Sequence, residues 1–202
     1  MRVSCAEIVR RVVVETIDPS VKVMEISAMR VHLIGTNHCY QLRGYKETNW
    51  KAFLKYLLAF CQNEAVDLIA EELNEWEIAS WKDQGATGSV AREVASRLGI
   101  KHLFCDPDEA DRERRGIQSR QELADSIGAG GHFRTAAQAA TICRLIRERS
   151  WPIREDFWLE KLQQTDFSHC AFILGANHVV SFKKLLTSNG FDARVESGDW
   201  EP

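Results

Sequence analysis

The sequence is short of the features that mark several protein classes. Only four prolines and twelve glycines occur in 202 residues, too few for a disordered or low-complexity chain. No apolar run approaches the ~20 residues that span a bilayer. Met1 to Cys5 leads into Glu7, Arg10 and Arg11 rather than an apolar stretch with a small-residue cleavage site, so no signal peptide is expected. An excess of positive charge is also missing. The formal net charge of −3 argues against general nucleic-acid binding, which requires a basic surface. The six cysteines (Cys5, Cys39, Cys61, Cys105, Cys143, Cys170) include no Cys-x-x-Cys pair, which removes zinc ribbons and thioredoxin-type sites. Scattered reduced thiols predict a cytoplasmic protein. No Gly-x-Ser-x-Gly elbow is present, and Cys39 beside His38 is an adjacency in sequence, not a nucleophile–base pair.

What remains is a chain 45% hydrophobic, long enough for one self-sufficient core, in which strands and helices alternate. Val31–Ile34, Asp67–Leu73, Lys101–Cys105, Ala171–Leu174 and Phe191–Val195 read as strands. Helical spacing marks Trp50–Cys61, with Thr48 or Asn49 as N-cap, and Ser89–Leu98, closed by Gly99. Arg134–Arg149 and Ile153–Gln163 read as two helices separated at Ser150 and Pro152, and Val179–Thr187 as a last one. This alternation predicts an α/β fold with a mostly parallel central sheet flanked by helices on both faces. Residues 1–28 read as an N-terminal extension or extra edge element, and 29–202 as the main domain.

Two stretches repeat. Gly35-Thr36-Asn37-His38 and Gly175-Ala176-Asn177-His178 each place Gly-x-Asn-His directly after an apolar strand. In open parallel sheets, reactive groups collect beyond the carboxyl ends of the strands. If the two strands are neighbours, the imidazoles of His38 and His178 converge. The strand between them ends in Glu71-Glu72, and alternation along a strand sends one of the two carboxylates into the crevice and the other away from it. Two imidazoles and one carboxylate suit a metal site with open positions, or a general base with an orienting partner. Asp106, after the third strand, reaches the same rim and is a candidate to orient substrate or a metal-bound water; an Asp-Pro turn is the plainer reading. Arg154 and Trp158, four apart, share a helical face. The guanidinium there would hold an anion or Glu72, while Glu155, Glu160 and Lys161 read as solvated. Arg112, Arg114, Arg115 and Arg120 would attract an anionic substrate or form a wet helix face. Gly128–Gly131 lacks the Lys-Ser/Thr of a phosphate loop, and the adjacent His132 would sit on a mobile lid. His32, His102 and His169 read as structural.

The paired Gly-x-Asn-His motifs, the strand Asp67–Leu73, the Arg154-Glu155-x-x-Trp158 stretch and Ile173–His178 together resemble the TraB/Tiki-type superfamily, which includes erythromycin-esterase-like and ChaN-like proteins. The resemblance covers residues 29–195 through a few short matches. It implies a pocket lined by both histidines and Glu72, with Arg154 as the helical arginine. It also implies one of three activities: metal-dependent proteolysis, metal-free ester hydrolysis or haem binding. Two departures stand out. Asn74, Glu75 and Trp76 follow the Glu-Leu pair where the family often has an arginine, and no glycine follows His178 closely.

The resulting expectation is a hydrolase of an ester, amide or phosphoester, on a small-molecule or peptide substrate and away from membranes. In its metal-assisted form a divalent ion of the Zn, Mn or Co class is bound by His38, Glu72 and His178, and Glu71 or Asp106 takes up a proton. In the metal-free form one histidine activates water, Glu72 sets its tautomer and Arg154 stabilises developing charge. Trp158 would contact substrate. The competing expectation is a haem-binding protein, with Trp158 or Phe157 lining the pocket.

Overall fold

The computed structural model describes residues 29–46, 48–129 and 135–202. The expected edge element at 1–28 and the expected lid residue His132 lie outside the described residues.

Among the described residues, five strands form one sheet: β1 (Arg30–Thr36), β3 (Leu68–Glu71), β5 (Lys101–Phe104), β6 (His169–Gly175) and β7 (Asp192–Trp200), in the order β5-β3-β6-β1-β7. All four pairings are parallel. A two-stranded antiparallel ribbon, β2 (Leu42–Arg43) with β4 (Gly88–Ser89), lies apart from it. Between the strands run α1 (His38–Gln41), α2 (Trp50–Asn63), α3 (Glu75–Ser80), α4 (Val90–Leu98), α5 (Glu109–Arg115), α6 (Arg120–Ser126), α7 (Ala136–Leu145), α8 (Trp151–Gln163) and α9 (Val179–Ser188). Asn49 caps α2 by accepting from the Ala52 N–H, Ser89 caps α4, and Gly99 ends α4 in the left-handed conformation.

The two-residue period of the strands divides the core between the faces of the sheet. Leu33, Ala70, Phe172 and Leu174 pack with Trp158, Leu162, Phe182 and Leu186 of α8 and α9. Ile34, Ile69, Ala171 and Ile173 pack with Phe53, Leu57, Val90 and Val94 of α2 and α4 on the other face. No helix among the described residues is long and apolar enough to cross a membrane.

Three elements differ from the sequence expectation. The last strand runs not to Val195 but to Trp200, with two register shifts against β1; bulges let it follow the edge, and Glu196 reaches back to His32 Nδ1 at 2.8 Å. The charged stretch after Pro107 forms two helices, α5 and α6, whose arginines are largely paired: Arg112 with Asp106, Arg114 with Asp111, Arg115 with Glu160. Finally, Ser150 and Pro152 do not interrupt the chain between α7 and α8. A π turn at Ile146–Ser150 joins them, and the Trp151 N–H donates to the Ile146 carbonyl. Proline lacks an amide hydrogen, and a π turn is one way a helix absorbs such a lost bond.

Candidate functional site

β1 and β6 are neighbours in register, with Thr36 opposite Gly175, so the two motifs emerge side by side at the carboxyl edge of the sheet. β3 flanks β6 on the other side and delivers Glu72 between them. The Glu72 Oε1 lies 3.7 Å from His38 Nε2 and 3.5 Å from His178 Nε2. The convergence expected from the repeated motif is therefore present.

The motif glycines have distinct spatial reasons. A Cβ at Gly175 would lie 2.9 Å from His38 Nε2 and 3.4 Å from Glu72 Oε2, so the missing side chain is the room into which the imidazole reaches. A Cβ at Gly35 would meet the Gly198 carbonyl oxygen at 2.3 Å and a Val179 methyl at 2.5 Å. There the requirement is close backbone packing against β7 and α9.

Glu72 is buried, and every approach to it is polar. Oε1 accepts from Arg154 Nη2 at 2.6 Å, and Oε2 accepts from the Gly175 N–H at 2.7 Å. Burial alone pushes its carboxyl up, but Arg154, the two imidazoles and the Gly175 N–H override it and hold the group down at about 2. Glu72 is therefore an ionised fixture at neutral pH. Arg154 in turn is clamped between Glu72 and Asp106. Asp106 Oδ1 accepts from its Nε at 2.8 Å and its Nη2 at 2.6 Å, and from Trp158 Nε1 at 3.3 Å, while Arg112 takes Oδ2. Burial works against the charge on the guanidinium, but the two carboxylates outweigh it and raise its pKa above the usual arginine value.

The two imidazoles are held differently. His178 Nδ1 is 2.7 Å from Glu155 Oε1, which also accepts from Ser181 Oγ at 2.7 Å. Trp151 and Trp158 pack on the His178 ring at centroid distances of 4.2 and 5.0 Å. Since a carboxylate only accepts, the Nδ1 proton belongs to His178, and in the neutral ring Nε2 carries the lone pair. Gln41 Nε2 donates to His38 Nδ1 at 3.3 Å, which places the His38 proton on Nε2. The His38 side chain is 39% exposed and that of His178 5%.

Several expected roles change. Glu71 does not join this site. It is the alternate residue of the strand, buried on the α2/α4 face, where its Oε1 accepts from Ser89 Oγ at 2.5 Å and lies 2.7 Å from His102 Nε2. Asp106 is buried under three donors and anchors Arg154 rather than facing substrate. Trp158 is fully buried and belongs to the core beneath His178; it does not line an open surface. Phe157 is likewise buried, below Arg115 and Lys161; it backs a charged pocket of about 190 Å³ whose lining includes neither motif histidine, so neither aromatic residue expected beside a haem shares a cavity with His38 or His178.

A divalent ion also fits poorly. Among the described residues no group of three or more His, Cys, Asp or Glu side chains is disposed to hold one. Glu72, the required carboxylate, already has one oxygen on a guanidinium and the other on a backbone amide. A dication beside the Arg154 charge would face strong repulsion in a buried setting.

Glu155, read from sequence as solvated, is buried, and Gln41 and Glu77 carry no signal in the sequence reading. Glu155 sits in a charged helical run that reads as solvated, and only its place beside Arg154, on the helix that faces the rim, signals otherwise. Gln41 is three residues beyond the first motif histidine, one turn of α1. Glu77, on α3, has a buried Oε2 without a hydrogen-bond partner. Burial and nearby Asp106 push its carboxyl up, against His38 and Arg154.

Compared with known protein families, curated proteins and solved structures, the chain matches none.

Proposed function

We propose that this protein is a small hydrolase of the TraB/Tiki type, acting on an ester, amide or phosphoester with His178 as the base. The observation that carries the reading is the Glu155–His178 contact at 2.7 Å, which directs the lone pair of Nε2 toward the same carboxylate that His38 faces. A buried carboxylate on one imidazole nitrogen fixes the tautomer and steadies the imidazolium that forms when the other takes a proton. His178 would remove a proton from water held between the two rings, and Glu72 would stabilise the resulting positive charge. His38, with its proton on Nε2 and its ring half open to solvent, would donate to the oxygen that becomes negative as water adds. The imidazolium then returns its proton to the leaving group. Arg154 and Asp106 keep Glu72 in place. Glu71 has no part in this scheme, because it faces the other side of the sheet. A reducing, cytoplasmic setting agrees with the free thiols of Cys61, Cys105, Cys143 and Cys170.

The test is turnover on a panel of nitrophenyl esters, peptide anilides and phosphoesters, before and after exhaustive dialysis against a chelator. Turnover that survives dialysis and is lost in Glu72→Gln and His178→Ala is the expected result. Undiminished turnover in Glu72→Gln would sink the site. Turnover that needs a divalent ion, with the ion absent from His38→Ala/His178→Ala protein, would instead support the metal-assisted chemistry expected from the ligand types alone.

A further inference from the structure

A trough runs between α8 and α9 directly behind His178. Its upper lobe has a volume of about 440 Å³ and is lined by Arg147, Trp151, Glu155, Asn177, Val180 and Lys184 among others. A smaller lobe of about 280 Å³ continues it along α9 past Lys184 and Leu185. The α9 wall is one helical stripe, Val180, Ser181, Lys184, Leu185 and Ser188, with the three- and four-residue spacing of a single face, and Asn177 of the preceding 3-10 segment extends it. The trough begins at the second motif, since Asn177 is a motif residue. On the opposite wall the Trp151 ring, whose centroid is 4.2 Å from that of His178, and Glu155, 2.7 Å from His178 Nδ1, stand between the cavity and the imidazole.

Three properties of the upper lobe point to a ligand. Val180 is 82% exposed, an aliphatic side chain left open to water on the lip of a cavity that also presents the face of a tryptophan. Arg147 and Lys184 stand on opposite walls. Neither has a carboxylate partner among the described residues, where most other arginines are paired; the guanidinium of Arg147 lies over the Trp151 ring at 5.3 Å. The one carboxylate of the lobe, Glu155, is already engaged by His178 and Ser181. The lobe therefore combines an apolar floor with unspent positive charge. The π turn at Ile146–Ser150 is part of this construction, because it carries Arg147 and leads directly into Trp151. Such turns recur at functional sites.

We propose that the trough is the substrate-recognition groove of the hydrolase site and takes an amphipathic anion: an aryl or alkyl group bearing a single carboxylate or phosphate. The apolar body lies on Trp151 and Val180, and the anionic group is held between Arg147 and Lys184. A cavity of this size is within the range of small-molecule sites. The assignment rests on the hydrolase reading for its meaning, but not for its measurement, because binding requires no turnover.

Isothermal titration calorimetry of the full chain with 4-phenylbutyrate, 4-phenylbutyl phosphate and 4-phenyl-1-butanol tests it. Saturable binding of one or both anions is expected, about ten-fold tighter than the alcohol, as two solvent-exposed charge contacts would give. The tighter anion assigns the head group. In Arg147→Ala/Lys184→Ala the anion affinity should fall by about the same ten-fold while the alcohol is unchanged. Val180→Ser, at an exposed position that does not endanger the fold, should weaken all three ligands by about three-fold. Absence of binding by both anions, equal affinity for acid and alcohol, or indifference to the double substitution would each overturn the proposal. Binding that follows this pattern in a protein without hydrolytic turnover would leave the groove standing and remove the hydrolase. Turnover with no such binding would do the reverse.

Discussion

The two Gly-x-Asn-His motifs are nearly the same four residues on adjacent parallel strands, yet they build unlike histidines. The first continues into the short helix α1; its imidazole is partly open to solvent, and its Nδ1 is bonded to the neutral amide of Gln41. The second turns through a 3-10 segment into α9, and its imidazole is buried between two indole rings with a carboxylate on Nδ1. Sequence identity therefore fixes where each ring is delivered, and the surrounding helices decide what it can do there. One ring offers a proton and the other a lone pair, and both point at Glu72. A pair of equal histidines would have suited a metal; an unequal pair suits proton transfer.

The largest effect should come from making the second histidine resemble the first. Glu155→Gln replaces an acceptor-only carboxylate by an amide that can donate to Nδ1, so the proton moves to Nε2 and the lone pair is lost. On the proposed mechanism, kcat should fall by about 10³-fold with little change in KM. Equal losses on Glu155→Gln and Gln41→Ala would mean that the inequality of the two rings has no catalytic meaning.

The next effect concerns the carboxylate that both rings share. The folded-state pKa of Glu72 is lowered from an ordinary 4.5 to about 2, so the unfolded chain binds the proton more readily than the folded one. The associated stability is complete above the unfolded value and is lost as pH falls from about 4.5 through about 2, in total of order 3 kcal/mol. Denaturant melts at pH 6 and pH 3 should show the wild type losing more stability than Glu72→Gln does. A parallel loss in the two proteins would mean that acid sensitivity lies elsewhere, and that Glu72 is not the clamped group described.

The sheet and the meeting of the two motifs were legible in the sequence, because a parallel α/β chain writes each buried strand as an apolar run and puts its polar residues at the ends. Glycine after Ile34 and Leu174, and histidine three residues on, carried enough to predict the convergence. The split of Glu71 from Glu72 followed from strand alternation, but which of the two entered the crevice required the neighbours: Ser89 and His102 on one face, Arg154 on the other. Glu155 was not legible. A glutamate at the start of a helix containing Arg154, Asp156, Glu160 and Lys161 looks like solvated charge, and its burial depends on α9 packing across it, a contact between residues 23 apart with Ser181 farther still. Trp158 failed for the opposite reason. Helical spacing placed it correctly beside Arg154, but aromatic residues near a site read alike whether they touch ligand or support the ring that does. The continuation of β7 to Trp200 was hidden because its second half, with Glu196, Gly198 and Asp199, lacks the apolar pattern of a buried strand; among the described residues it pairs with β1 alone.

The remaining comparison is between the two glycines, and here the effects are smaller and separate stability from chemistry. At Gly35 the added methyl of Gly35→Ala meets a backbone carbonyl at 2.3 Å and Val179 at 2.5 Å. That carbonyl lies in the bulge of β7 between the paired Ser197 and Trp200, and Val179 blocks the other contact, so β7 or α9 must shift, and the cost should be about 2 kcal/mol, within the usual range for overpacking. At Gly175 the same methyl meets the ring end of His38 at 2.9 Å. That ring is at the free end of a partly exposed side chain and can swing out, so Gly175→Ala should change stability by less than about 1 kcal/mol. Yet the swing removes the proposed Nε2–H donor from the site, and activity should fall with the fold intact. Urea melts paired with turnover rates distinguish the two glycines. Equal destabilisation would show that Gly175 serves packing, as Gly35 does, and that the close approach of His38 to the end of β6 is incidental to what the site does.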